Sequence, residues 1–234
     1  MKETFVETRN YIQMHEMMDR LVNQLEGNQE RMGLAYGTFG LGKTFSLERL
    51  AMEFDALLLR TRQTWTVSSV LRLLAQELGI DTHGKSSELQ RRITNAMNYA
   101  PRPIIIDEID ALLYADRFRV MELFRDIHDQ TGIVTVFVGM ESCDARLKNH
   151  PHFYSRIVAK VKFQPIPVED ISRFCEQAEI GISKDLVEYF HRKYPNLRQI
   201  KVFLLRLEAW AELNGVDRVD LKLFRQSGVE KMEL

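Results

Sequence analysis

Apolar and polar residues alternate along this chain in two distinct rhythms. The run Met32-Gly33-Leu34-Ala35-Tyr36 is short and mostly apolar, which predicts a buried strand. Ile104-Ile105-Ile106 predicts a strand buried on both faces, as in a parallel sheet. Asp55 to Arg60 and Ile133 to Gly139 read as two further strands, and the more polar Val158 to Phe163 as a fifth, at an edge. Between them the period lengthens. Ile12, His15, Met18, Leu21, Val22 and Leu25 predict a helix over roughly 12–26. Further helices are expected from Thr44 to Ala51, from Ser68 to Leu78 (ended by Gly79), from Ser87 to Tyr99 (capped by Ser86 or Ser87) and from about Arg117 to Thr131. Strands alternating with helices imply an α/β fold with a parallel sheet of five strands. After Gln164-Pro165-Ile166-Pro167 no strand is expected, only helices at about 168–179, 184–194, 197–213 and 218–227. The expected division is an N-terminal arm and helix over 1–30, an α/β core over 31–165 and a small all-helical lid over 166–234.

The alternation acquires a chemical meaning where the first strand ends. Gly37-Thr38-Phe39-Gly40-Leu41-Gly42-Lys43-Thr44 fits G-x-x-x-x-G-K-[ST], the phosphate-binding loop of nucleoside triphosphatases. Glycines let backbone N–H groups turn inward on an anion, and the following helix N-terminus adds its partial positive charge. Lys43 would reach the β- and γ-phosphates and the Thr44 hydroxyl would sit on Mg²⁺, with Phe45 completing the candidate nucleotide contacts. The isoleucine strand ends in Asp107-Glu108-Ile109-Asp110. Asp107 there suits the metal and Glu108 suits a general base on the attacking water; Asp110 reads as a surface or capping group. The alternative is that these acids simply open the next helix, where negative charge is favoured.

Size and composition narrow the setting. The 234 residues suffice for one large domain or a domain with a lid, and 45% hydrophobic with 28% charged residues is ordinary for a globular protein. No apolar run approaches the length that spans a bilayer, and the N-terminus lacks a signal peptide's apolar core. Cys143 and Cys175 form no C-x-x-C pair, so a cytoplasmic setting with reduced thiols is expected. A net charge of −1 means that any nucleic-acid contact must come from a local basic patch. Candidate contacts are Arg60, Arg62, Thr64 and Trp65 after the second strand, with Lys85 in a second loop. No base-reading helix is evident, so contact with double-stranded DNA would be largely sequence-independent. The alternative is a solvated loop whose Trp65 packs against the core. Lys148, Lys160 and Lys162 form another candidate patch, or guard an edge strand. The histidines show no metal-ligand spacing.

Taken together, the glycine loop at Gly37 to Thr44, Asp107-Glu108 and the core-plus-lid layout resemble the AAA+ ATPase family. The resemblance implies ATP and Mg²⁺ as cofactors and ATP hydrolysis as the activity. It implies a trans-acting arginine at Arg156, or else at Arg146, and a lid sensor arginine at Arg198. Met140 stands where that family usually carries a polar sensor; Glu141 or Ser142 would then substitute, or hydrolysis is slow. Within the family, Val136-Phe137-Val138-Gly139-Met140-Glu141, Asp144-Ala145-Arg146-Leu147 and Asn196-Leu197-Arg198 are most similar to the MuB/TnsC group. That likeness implies a homo-oligomer or helical filament on double-stranded DNA that recruits or activates a transposase. The alternatives are a helicase-loader or origin-type AAA+ ATPase, for which residues 1–10 would be a partner-binding arm, and a nucleotide-gated DNA-binding switch with little turnover.

Overall fold

The computed structural model describes residues 5–24, 30–114 and 116–232. The chain divides into two compact units. The core unit holds Met14–Gly37 and Thr44–Lys162; the lid unit holds the residues up to Gln13, Thr38–Lys43 and Phe163–Leu234.

The core unit carries five strands: β1 (Met32–Tyr36), β2 (Leu57–Arg60), β3 (Ile104–Asp107), β4 (Thr135–Gly139) and β5 (Ile157–Lys162). They form one parallel sheet in the order β2-β3-β4-β1-β5, with Leu57 opposite Ile104, Ile104 opposite Thr135 and Met32 opposite Thr135. β3 and β4 are buried at every residue, as a strand covered on both faces should be. β5 alternates buried and more exposed residues, in keeping with its place at an edge. The helices are α2 (Lys43–Glu53), α3 (Val67–Glu77), α4 (Ser86–Tyr99), α5 (Phe118–Thr131), α6 (Cys143–Leu147) and α7 (Pro151–Tyr154), with a 3₁₀ turn over Ile109–Leu112. One core cluster joins Leu59, Trp65, Leu74, Ile93, Ile106, Phe124 and Phe137.

Helix starts depart from expectation where capping chemistry decides them. The N-terminal helix α1 begins at Arg9, because the Tyr11 N–H donates to the Thr8 hydroxyl at 3.2 Å; it runs to Asp19 and continues as a π-helical turn over Arg20–Gln24. Leu25 and the expected helix end at 26 lie outside the described residues, as do residues 1–4 of the expected arm. α3 starts at Val67 through a reciprocal box: the Ser69 N–H donates to the Thr66 hydroxyl (3.2 Å) and the Thr66 N–H to the Ser69 hydroxyl (2.8 Å). The serine cap expected for α4 is corrected: Ser86 and Ser87 are already helical, and Lys85 holds the cap position with no side-chain bond.

The lid unit contains α8 (Val168–Cys175), α9 (Lys184–Lys193), α10 (Leu197–Asn214) and α11 (Leu221–Gln226), packed around Phe190, Phe203 and Phe224, whose ring centroids lie 5.4–5.8 Å apart. The expectation of no strand here is corrected by a two-residue parallel pair, β6 (Gly181–Ile182) with β7 (Arg218–Val219). Two residues carry too little periodicity to be seen in a sequence.

Candidate nucleotide-binding site

The loop between β1 and α2 curls as its sequence requires. Gly40 and Gly42 sit at φ +79° and +87°, where residues with a Cβ are strained. The Lys43 ammonium bends back over the loop and donates to the Thr38 carbonyl at 2.6 Å. Phe39 and Phe45 on either side are exposed, while Leu41 is buried. Within the lid unit, the Leu197 N–H donates to the Gly40 carbonyl at 3.0 Å, which sets the first turn of α10 against the loop. Arg198 is the second residue of that helix and its side chain is exposed. The start of α10 thus meets the glycine loop at Gly40, with its own first N–H groups taken by Gly40 and by the Asn196 cap.

In the core unit, Thr44 opens the part of α2 that follows the loop. Asp107 is 3% exposed at the end of β3, and its Oδ1 accepts the Glu108 N–H at 2.8 Å. The Thr61 N–H (3.0 Å) and hydroxyl (2.6 Å) both donate to the Asp107 carbonyl, clamping the end of β2 beside it. Glu108 is exposed and adopts the left-handed conformation, φ 60° and ψ 40°. Such a conformation costs a non-glycine residue about 1 kcal/mol or more and recurs where a side chain must be aimed. A hydroxyl at Thr44 and a carboxylate at Asp107 are hard oxygen donors, a set that fits Mg²⁺. Among the described residues no group of three or more His, Cys, Asp or Glu forms a metal cage, so such an ion would need further oxygens from the nucleotide or water.

Asp110 is corrected from a surface or capping group to a tie across strand ends. Its Oδ2 accepts the Met140 N–H at 2.9 Å and its Oδ1 accepts the Cys143 thiol at 3.1 Å. Burial and the Asp110 carboxylate together raise the Cys143 thiol well above its ordinary pKa, which keeps it a neutral donor. Glu141 pairs with Lys162 at 2.7 Å, so its carboxylate is engaged away from Met140.

The arginines divide by partner. Arg156 pairs with Asp129 (3.2 Å), while the Arg146 guanidinium lies 5.2 Å from the centre of the Tyr114 ring. Arg60 is exposed and lines the same cleft as Arg62, with its guanidinium 3.8 Å from Asp107 and 3.7 Å from Glu48. Trp65 is corrected. It is buried, 6.5 Å from Phe124 between ring centroids, so it packs against the core as in the alternative reading, with only an edge lining that cleft. Arg62, Thr64 and Lys85 are exposed. Arg62 and Thr64 border a cleft of about 800 Å³ that Arg72 and Gln76 of α3 also line; Lys85 does not line it. Sequence reasoning did not single out Arg72, because a lone arginine on a helix carries no signal of the cleft it lines.

A family model described as AAA domain matches residues 25–147, just over half of the chain. The chain belongs to the AAA domain family. This AAA protein is 20% identical to a curated Staphylococcus aureus relative described as a potential ATP-binding protein, with 94% of each chain covered. Its fold is that of the Aeropyrum pernix ORC2 protein solved as ADPNP-ADP complexes, at a TM-score of 0.75 and 17% identity over 97% of this chain and 70% of that one. The Pyrobaculum aerophilum Cdc6p structure gives 0.64 at 17% identity over 93% and 66%. The Aeropyrum pernix ORC1 protein in complex with DNA gives 0.62 at 18% identity over 97% and 66%. The P-loop AAA+ α/β fold expected from the sequence is therefore the one present. Two further residues of this AAA domain protein lie against the loop. Asn10 donates to the Leu41 carbonyl at 3.5 Å, and a Cβ on Gly40 would lie 2.1 Å from the Asn196 amide nitrogen. Sequence reasoning missed Asn10, which belongs to no motif, and named Asn196 only within Asn196-Leu197-Arg198, with no role at the loop.

Proposed function

We propose that this chain is an ATP-dependent, DNA-binding AAA+ ATPase of the origin-initiator or loader type, whose nucleotide state governs assembly with further copies on duplex DNA. The observation that carries the reading is the loop at Gly40 and Gly42 with Lys43 folded over it, together with the buried Asp107 and the aimed Glu108. Bound Mg²⁺-ATP would supply the phosphoanhydride bond that is broken. Loop N–H groups and Lys43 would hold the phosphates, Thr44 and Asp107 the metal, and a Glu108 carboxylate oxygen would accept the proton of the attacking water. Residues 166–234 would act as the lid, presenting Arg198 to the nucleotide, and Arg156 or Arg146 would reach a neighbouring copy. Met140 offers only a thioether where a polar group would orient water, which supports slow turnover. Exposed Arg62, Thr64 and Lys85, with Arg72, are the DNA contacts in this reading.

The likeness to ORC and Cdc6 folds supports the origin-type reading over that of a transposition regulator. Phosphate release with and without duplex DNA tests the activity. Capture of a replicative helicase, and failure to capture a transposase, separates the two readings; the reverse result restores the transposition role. Absence of any nucleotide-dependent DNA binding would remove both.

A further inference from the structure

Residues Thr38–Lys43 belong to the lid unit, although they follow a strand of the core. Two asparagine side chains of that unit lie against the loop. Asn10 is 3% exposed and uses its whole carboxamide. Its Nδ2 donates to the Gln164 carbonyl at 2.9 Å and to the Leu41 carbonyl at 3.5 Å, while Oδ1 accepts the Gln164 N–H at 2.9 Å. One side chain therefore joins α1, the phosphate loop and the segment that leads into α8. The Asn196 side chain lies against the loop one residue earlier, at Gly40. Its Oδ1 accepts the Arg198 and Gln199 N–H groups at 3.0 and 3.3 Å, capping α10. The carboxamide fills the space beside Gly40, where a Cβ would lie 2.1–2.3 Å from its nitrogen, carbon and oxygen, and the adjoining Leu197 N–H donates to the Gly40 carbonyl at 3.0 Å.

A loop built on two positive-φ glycines has many conformations, and anion binding selects one of them. Whatever else fixes that conformation must, by reciprocity, be stabilised when the anion binds. We propose that Asn10 and Asn196 are positioning residues that make the phosphate loop part of the lid, so that nucleotide on the loop orders α8 and α10 directly. This rests on the nucleotide reading given above. Neither asparagine has to touch the nucleotide; each acts through the loop backbone. Because the Asn10 amide is buried, truncating it leaves the Leu41 and Gln164 carbonyls without their donor.

Amide hydrogen exchange on the full chain, with and without Mg²⁺-ADP, tests the proposal. In the unaltered protein ADP slows exchange in residues 38–43 and also in α8 and the first two turns of α10. In Asn10→Ala the slowing at the loop persists, while that in α8 and α10 falls at least threefold and the amides of β3 and β4 are unmoved. A general loss of stability would change β3 and β4 as well. Asn196→Asp keeps the cap oxygen and loses the amide, so nucleotide-free α10 should exchange as before while its response to ADP falls. Equal lid slowing in both variants and in the unaltered protein overturns the proposal. If Mg²⁺-ADP does not bind at all, the nucleotide reading fails and the clamp is read without ligand. Asn10→Ala should then speed exchange at Gln164 and across 38–43 about tenfold, and no change there overturns the clamp on its own.

Discussion

Gly40→Ala probes the loop at the point where its geometry is tightest. The residue sits at φ +79°, and an added Cβ would lie 2.1–2.3 Å from three atoms of the Asn196 carboxamide. The left-handed conformation costs alanine about 1–2 kcal/mol. Moving Asn196 aside forfeits the α10 cap, about 1 kcal/mol more. The expected destabilisation is about 2–3 kcal/mol, which in a chain of this size lowers the melting temperature by roughly 4–12 °C. Gly228→Ala is the internal control, since Gly228 has φ +72° and nothing within 4 Å of an added Cβ. It carries the backbone cost alone, about 1–2 kcal/mol. Thermal unfolding monitored by circular dichroism, with nucleotide titration of each folded variant, compares the two. Gly40→Ala should melt lower and bind Mg²⁺-ADP at least tenfold more weakly than Gly228→Ala. Identical melting and affinity in the two variants would refute the close approach of Asn196 to the loop.

Other substitutions separate roles that the structure distinguishes. Trp65→Ala should destabilise by about 3–5 kcal/mol in urea titration, as a buried aromatic does, without changing the salt dependence of DNA binding by the folded fraction. Arg62→Ala should reduce the slope of log affinity against log salt by about one for duplex DNA, whereas Arg60→Ala, whose guanidinium lies beside Asp107 and Glu48, should leave that slope unchanged. Glu108→Gln should retain nucleotide affinity and lower phosphate release by about 10²–10⁴-fold, the contribution of a general base.

Much of the core was legible because its signals are local. Three isoleucines ending in Asp107, and a glycine loop flanked by an apolar run and a helix, specify strand, turn and helix without tertiary information. The features that were not legible depend on partners distant in sequence. Trp65 reads equally well as a stacking surface until Phe124 is seen beside it. That Arg60 also approaches Asp107 follows only from the parallel register that sets the two residues opposite each other. Asn10 lies 154 positions from Gln164, and nothing in Thr8-Arg9-Asn10-Tyr11 announces that its amide is buried. The left-handed backbone of Glu108 is invisible because glutamate has no preference for it; the strand end and the 3₁₀ turn over Ile109–Leu112 impose it. β6 and β7 are simply too short to leave a pattern.

The central claim is that a triphosphate is held by the loop from Gly37 to Thr44, and calorimetric titration with Mg²⁺-ATPγS tests it most directly. The unaltered protein should bind one nucleotide per chain, and Lys43→Ala, with the same melting temperature, should bind at least a hundredfold more weakly. Equal affinity in the two proteins, or no heat of binding in either, would contradict the account.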